Sequence, residues 1–157
     1  MVKNIELLKQ AKETAGGWGH LNQFRLETTL KFAGSSVLDL GCSSGLYVKH
    51  LAVNGYFACG LDILPDDAWA GNSSATGNFL VGDVCAIPFP SQSFDTIIAF
   101  ETLEHIADID LALQEIHRVS RQNIVISVPD CEIYPEYRNG GLVPFHWIDR
   151  THRQFFT

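Results

Sequence analysis

The chain has 157 residues, of which 46% are hydrophobic and 18% are charged, and its formal net charge is −7. This length suffices for one domain with a substantial core, while the apolar content excludes a disordered chain and the absence of a long apolar run disfavours a membrane protein. The charged start of the chain also lacks the unbroken apolar core of a signal peptide, so we expect a cytoplasmic protein. The negative charge repels phosphate backbones and disfavours nucleic acid as a partner, which favours a small-molecule partner.

The first half of the chain predicts two helices, a strand, a helix and a second strand. Apolar residues at helical spacing indicate helices over 3–14 and about 20–32. A buried strand follows at 36–40, and a helix at 45–55 ends at an Asn-Gly pair before the strand at 56–63. This alternation of strands and helices is typical of a parallel sheet.

The second half continues the alternation. A segment rich in Gly, Ser, Asn and Asp predicts a loop or short helix over 65–76. The apolar face of 104–119 predicts a helix, and 149–157 begins like another. The remaining strands are predicted at 77–84, 94–100 and 123–128.

A turn of small residues connects the first strand to the helix that follows it. Gly41 and Gly45 can adopt conformations closed to other residues, and Cys42 and Ser43 leave room for a ligand against the main chain. The positive end of the helix lies at the carboxyl edge of the sheet, where open α/β folds bind ligands. Taken alone, the turn fits an empty connection equally well.

Acidic residues at the ends of successive strands favour a binding site. Asp39, Asp62 and Asp83 lie near the ends of the first three strands, and Glu101 follows the fourth. The carboxyl ends of parallel strands meet at one edge of a sheet, so we expect these four carboxylates to converge there.

The motifs VLDLGCSSG, GLDI, GDVCAIPFPSQSFD and FETLEHI occur in the order found in class I S-adenosylmethionine-dependent methyltransferases, which the chain resembles from about Arg25 to Thr157. The resemblance implies a single domain over 1–157 with a Rossmann-like α/β fold: a doubly wound parallel sheet of order 3-2-1-4-5 in a three-layer α/β/α arrangement. It also implies methyl transfer from S-adenosylmethionine to oxygen or nitrogen of a small-molecule acceptor. Ser43 departs from the family by replacing the central glycine of G-x-G-x-G.

Carried over by position, the resemblance assigns roles around the cofactor. The turn would hold its methionine part, with Asp39 supporting the amino group and Arg25 facing the carboxylate. Asp62 would accept from the ribose hydroxyls, and Asp83 from the adenine amino group. The implied cofactor-binding set is Arg25, Asp39, Gly41, Cys42, Ser43, Gly45, Asp62, Ile63, Leu64, Asp83, Val84 and Phe100.

A second constellation is E-x-x-E-H, formed by Glu101, Glu104 and His105 at the predicted start of a helix, where residues three and four apart share a face. Two carboxylates and an imidazole suit a divalent metal, and His152 could complete the set. The pattern resembles that of metal-assisted O-methyltransferases, including those acting on the 2′-hydroxyl at RNA ends. Alternatively, Glu104 favours the helix start and His105 packs or contacts substrate. Glu101, His105 and His152 are also candidates for a catalytic base.

Other interpretations stay open at this point. A nicotinamide dinucleotide is a weaker candidate cofactor, because Ser43 and Leu46 stand where its G-x-G-x-x-G fingerprint needs glycines. The resemblance further implies a C-terminal pair of antiparallel strands that this sequence lacks. A truncated chain, a minimal form that dimerises over the open sheet edge, or a cofactor-binding module without turnover would each account for this.

Overall fold

The computed structural model describes residues 20–70, 77–130 and 149–156, so the predicted helix at 3–14 and residues 71–76 lie outside the described residues. The helices are α1 (Gln23–Phe32), α2 (Leu46–Val53) and α3 (Ile109–Val119). The strands are β1 (Ser36–Leu40), β2 (Phe57–Asp62), β3 (Asn78–Val81), β4 (Phe94–Phe100) and β5 (Ser120–Ser127). Short 3-10 turns span Asp67–Trp69, Val84–Ala86 and Leu103–His105.

The five strands form one parallel sheet in the order β3-β2-β1-β4-β5, which confirms the predicted topology. Leu38 at the centre of β1 pairs with Cys59 on one side and Ile97 on the other. The order reverses at β1, because the chain adds β2 and β3 on one side and β4 and β5 on the other. A crevice is expected at such a point, outside the carboxyl ends of the strands.

Core residues lie on both faces of the sheet. Leu38 and Leu40 point to the face covered by α3, whose Ile116 joins the same cluster. Val37 points to the opposite face, where it packs with Val48 and Leu51 of α2. This alternation follows from the two-residue period of a strand, and β1 and β4 are buried on both faces over nearly their whole length. The layers are therefore helix, sheet and helix.

One predicted helix starts later than expected, and another is wrong. The helix predicted at 104–119 begins only at Ile109, because the Asp108 side chain accepts a hydrogen bond from Leu111 N at 3.1 Å and caps the helix there. Residues 149–156 form a turn and an extended stretch instead of a helix. Asp149 accepts from Thr151 N at 2.8 Å, and the N–H groups of Arg153 and Gln154 donate to Glu104 O rather than along their own segment.

The other boundaries differ by a few residues. The predicted strand at 77–84 is shorter, because the side chain of Asp83 caps the Val84–Ala86 turn by accepting from Cys85 N at 2.8 Å. β5 starts three residues earlier than predicted and lies at one edge of the sheet. Among the described helices, none has the length and apolarity needed to cross a bilayer.

Candidate functional site

A cavity of about 420 Å³ opens at the carboxyl edge of the sheet. Its walls come from the turn after β1, the ends of β2 and β4, the segment after β3, and Thr151 in the C-terminal stretch. The cavity lies at the strand-order reversal and has the size of an ordinary small-molecule site.

Most of the sequence-predicted residues line this cavity. Of the implied cofactor-binding set, Gly45 alone is missing from the lining, and of the catalytic candidates Glu101 and His105 line it while His152 does not. Glu104 also lies outside the lining. Residues outside these predicted sets also line the cavity: His20, Ser44, Leu46, Tyr47, Gly82, Thr102, Ile106 and Thr151.

The two glycines of the turn have left-handed backbones, with φ of +70° at Gly41 and +76° at Gly45. A Cβ on Gly41 would overlap Oγ1 of Thr102 and lie 2.7 Å from its Cγ2, and a Cβ on Gly45 would overlap the ring of Phe79. Gly41 therefore contacts the cavity and the Thr102 wall, while Gly45 lets Phe79 pack beneath the turn. Both positions exclude larger residues.

Ser43, between these glycines, also has a left-handed backbone, with φ of +46°. Its N–H donates to Oδ2 of Asp62 at 2.8 Å, and its carbonyl accepts from the indole Nε1 of Trp69 at 2.7 Å. An L-residue in this region is strained, so the conformation persists because surrounding groups hold it. Position 43, where the family motif has glycine and this chain has serine, therefore has a backbone conformation that favours glycine.

Asp62 ends β2 and uses both carboxylate oxygens. Oδ2 accepts from Ser43 N, and Oδ1 accepts from Leu64 N at 3.0 Å. The side chain therefore joins the end of β2 to the turn after β1 while it lines the cavity. Each oxygen keeps further acceptor capacity, since a carboxylate oxygen has two lone pairs.

Asp39 is only 3% exposed, although it lines the cavity. Its Oδ2 has no hydrogen-bond partner among the described residues. Burial, and then the charge of Asp62, raise the pKa of Asp39 well above its ordinary value. A buried oxygen without a donor is costly, and a donor group placed in the cavity would remove this cost.

Arg25 of α1 and Glu101 form an ion pair at the cavity wall, with Nη2 of the arginine 2.6 Å from Oε1 of the glutamate. Glu101 has a left-handed backbone with φ of +50°, and its Oε1 also accepts from Ser127 Oγ at 3.1 Å. The guanidinium of Arg25 lies 5.7 Å from the centre of the Phe100 ring, against which Tyr47 packs edge-on at 5.1 Å. This charged and aromatic group forms one side of the cavity.

Glu104, His105 and His152 form a second cluster, with one potential metal-ligand atom from each lying within 4.8 Å of the others. Glu101 is not part of it, so the shared helical face expected for E-x-x-E-H does not exist: Leu103–His105 is a 3-10 turn and Glu101 precedes it. Burial raises the pKa of Glu104 to about 7 and lowers the pKa of His105. The C-terminal stretch supplies His152 by docking on Glu104 O.

Sequence reasoning missed Thr102, Tyr47 and Trp69 for different reasons. Thr102 immediately follows Glu101, and its position as a polar residue after β4 was an available signal. In the structure its hydroxyl donates to Leu40 O at 3.0 Å. Tyr47 is the second residue of α2 and lies two positions after Gly45, so its closeness to the glycine-bounded turn was an available signal. Trp69 has no such signal, because only the tertiary fold brings it to Ser43.

The chain is similar to known methyltransferases. A family model described as a methyltransferase domain matches residues 38–127. The chain is 31% identical over 94 residues to malonyl-[acyl-carrier protein] O-methyltransferase of Yersinia pestis, which covers 59% of this chain and 35% of that protein. It is 35% identical over 89 residues to demethylmenaquinone methyltransferase of Roseiflexus castenholzii, with coverage of 54% and 37%. The match thus spans about a third of each relative's length.

Solved structures share the fold. The YcgJ protein of Bacillus subtilis superposes with a TM-score of 0.67 at 21% identity, covering 85% of this chain and 62% of that one. The 1,6-didemethyltoxoflavin-N1-methyltransferase of Burkholderia thailandensis, solved with S-adenosylhomocysteine, has a TM-score of 0.59 at 21% identity and coverage of 67% and 49%.

Proposed function

Because this chain belongs to the methyltransferase-domain family, we propose that it binds S-adenosylmethionine in the cavity and catalyses transfer of its methyl group to a small molecule. One observation carries the proposal: the carboxylates of Asp39, Asp62 and Asp83 converge on the cavity beside the left-handed turn of Gly41. Three acids suit a ligand that carries positive charge, amine donors and ribose hydroxyls.

The chemistry of the lining residues fits this cofactor. Oδ2 of Asp39 lacks a donor in the described part of the chain, which the cofactor's amino group would supply. Asp62 retains lone pairs for the ribose hydroxyls after binding two backbone N–H groups. Asp83 uses Oδ1 on Cys85 N, which leaves Oδ2 for the adenine amino group.

The remaining assignments complete the site. The side chains of Ile63 and Leu64 would cover the adenine, and Val84 N would donate to a ring nitrogen. Nη2 of Arg25 donates to Glu101 Oε1, and the other N–H groups of the guanidinium would donate to the cofactor's carboxylate. Cys42 and Phe100 line the same cavity, and Phe100 would lie on the side of the methyl group.

When bound, the cofactor supplies an electrophilic methyl group on a positively charged sulfur. The protein's part is to hold the acceptor atom about 3 Å from that carbon and to keep water out. His105 is the favoured base for an acceptor that must lose a proton, because it lines the cavity and burial lowers its pKa, which keeps the imidazole neutral and able to accept. Glu101 is held by Arg25, and His152 lies behind His105.

A calorimetric titration with S-adenosylmethionine tests the binding claim. We expect saturable binding by the wild-type protein and clear weakening by Asp62→Asn. Asp95→Asn is the matched control, because Asp95 is a carboxylate that likewise accepts from a backbone N–H, that of Ser36, but lies at the opposite edge of the sheet, outside the cavity. No heat and no thermal shift with wild-type protein at millimolar cofactor would overturn the proposal.

Turnover is tested separately from binding. Release of S-adenosylhomocysteine would be measured over a panel of acceptors that includes carboxylic acids, amines and quinols, since relatives are named as O-methyltransferases, an N-methyltransferase and quinone methyltransferases. Binding without release across the panel would favour the module without turnover.

A metal-assisted reaction is the second candidate, supported by the cluster of Glu104, His105 and His152. One carboxylate and two imidazoles suit a divalent transition metal, and the proximity of His105 to the cavity would place that metal beside an acceptor oxygen. Equilibrium dialysis with Zn²⁺ and Mn²⁺ tests this without activity. Stoichiometric binding that Glu104→Gln abolishes would support it, and activity that survives excess EDTA would contradict it.

The cytoplasm stays the expected compartment, and a homodimer over the open edge at β5 stays a prediction. Ile124 and Ile126 on this edge strand are about 40% exposed. Light scattering on purified protein gives the oligomeric state directly, and a monomer at micromolar concentration would exclude a stable dimer over this edge.

A further inference from the structure

We propose that Trp69 is a positioning residue that holds the Ser43 turn in the conformation that binds S-adenosylmethionine. The proposal rests on the proposed function of the cavity. It concerns a residue outside the cavity lining, so Trp69 acts through Ser43 and not by touching the ligand.

The backbone of Ser43 is held on both sides. Its N–H donates to Asp62 at the end of β2, and its carbonyl accepts from the Trp69 indole at 2.7 Å. Because one bond holds the N–H of the peptide before Ser43 and the other holds the carbonyl of the peptide after it, the two partners fix the orientation of both peptide groups that flank Ser43. Together they hold the left-handed φ of +46° that serine alone disfavours.

The indole is itself firmly placed. Trp69 stacks on Phe79 of β3, with ring centres 5.2 Å apart and planes at 10°. The Phe79 ring fills the space beside Gly45, where any Cβ would collide with it. The same aromatic pair therefore supports the turn at Gly45 and binds its carbonyl at Ser43.

A glycine at position 43 would need no such restraint. Glycine enters the left-handed region as easily as the right-handed one, whereas for serine the left-handed region is higher in free energy. Loss of the indole hydrogen bond should therefore allow Ser43 to relax into other conformations. The apparent affinity for the cofactor then falls in proportion to the fraction of molecules that keep the binding conformation.

The test is a double-mutant cycle between Trp69→Phe and Ser43→Gly. Phenylalanine keeps a ring for stacking on Phe79 and removes only the donor. With serine at position 43, Trp69→Phe should raise the Kd for S-adenosylmethionine about threefold to tenfold, the range of one lost neutral hydrogen bond. In the Ser43→Gly background the same change should raise it by about twofold or less.

Lys49→Met provides the matched control. Lys49 holds the same segment by donating to Ala68 O at 2.7 Å, yet makes no bond to Ser43. Loss of this bond should leave the affinity for S-adenosylmethionine near that of wild type in both backgrounds.

In wild-type protein the intrinsic fluorescence should change on cofactor binding, and Trp69→Phe should remove a part of that change.

Two results would overturn the inference. Equal weakening by Trp69→Phe in the two backgrounds would show that the indole acts on general stability or on the ligand itself, and so would a comparable effect of Lys49→Met. If the wild-type protein binds no cofactor, the proposed function fails. Urea unfolding of the wild type, the two single variants and the double variant then still tests whether Trp69 holds the conformation of Ser43. Additive effects of Trp69→Phe and Ser43→Gly on unfolding would then refute it.

Discussion

Gly41→Ala perturbs the wall between the turn and the end of β4. At φ of +70° the methyl group carries the left-handed penalty of about 1–2 kcal/mol. It also collides with Oγ1 of Thr102 and lies 2.7 Å from its Cγ2, an overpacking that costs about 1–3 kcal/mol. We therefore expect the free energy of unfolding to fall by about 2–5 kcal/mol.

Gly55→Ala separates the two contributions. Gly55 has φ of +89°, and a Cβ there would meet no atom within 4 Å. This variant carries the backbone penalty without the collision, and the effect of alanine on the unfolded chain is common to both variants. The difference between the two should therefore be the packing cost alone, about 1–3 kcal/mol.

Urea unfolding followed by circular dichroism measures both variants, with an unchanged slope required for the comparison. Thr102→Ala removes both atoms that Gly41→Ala would strike, so the double variant should recover the packing part and retain the backbone part. Equal losses for Gly41→Ala and Gly55→Ala would refute the proposed collision. So would a double variant in which the two losses simply add.

Two further predictions concern pH. Burial raises the pKa of Asp39, so the folded state holds its proton more tightly and this position loses stability as pH rises above 3.8; Asp39→Asn should therefore melt higher than wild type at pH 7.5 but not at pH 4. A lower melting temperature at both pH values would contradict this. Hydrogen bonds, first from Ser35 and also from Arg121, lower the pKa of Asp95, so its stabilisation exists above 3.8 and is lost in acid. Asp95→Asn should lower the urea midpoint at pH 7, by less at pH 3, and a pH-independent loss would count against the ionised form.

The fold was predictable because its signals are local and periodic. β1 and β4 are mainly apolar segments, and the α2 segment between β1 and β2 has the length of a crossover helix. Right-handed crossovers and a reversal after the first strand then leave few topologies. The acids at the strand ends followed from this arrangement without knowledge of any contact.

The predictions that were wrong concern segments whose backbone groups can bond either to local or to distant partners. Asp108 and Glu104 were both able to start a helix, and the capping bond from Leu111 N decided for Asp108. Residues 149–156 have a helix-like sequence, but the N–H groups of Arg153 and Gln154 donate to Glu104 O across the fold. The pairing of Arg25 with Glu101 likewise joins residues 76 positions apart, which no spacing rule predicts.

The double use of Asp62 bears on how such a site can be lost over evolutionary time. Any substitution that removes its carboxylate leaves at least one of the N–H groups of Ser43 and Leu64 without its acceptor. Selection for a stable chain would therefore maintain Asp62 even when no ligand is required. On the proposed function, a descendant that had lost methyl transfer would be expected to change first at His105 or Glu101, and to lose Asp62 late.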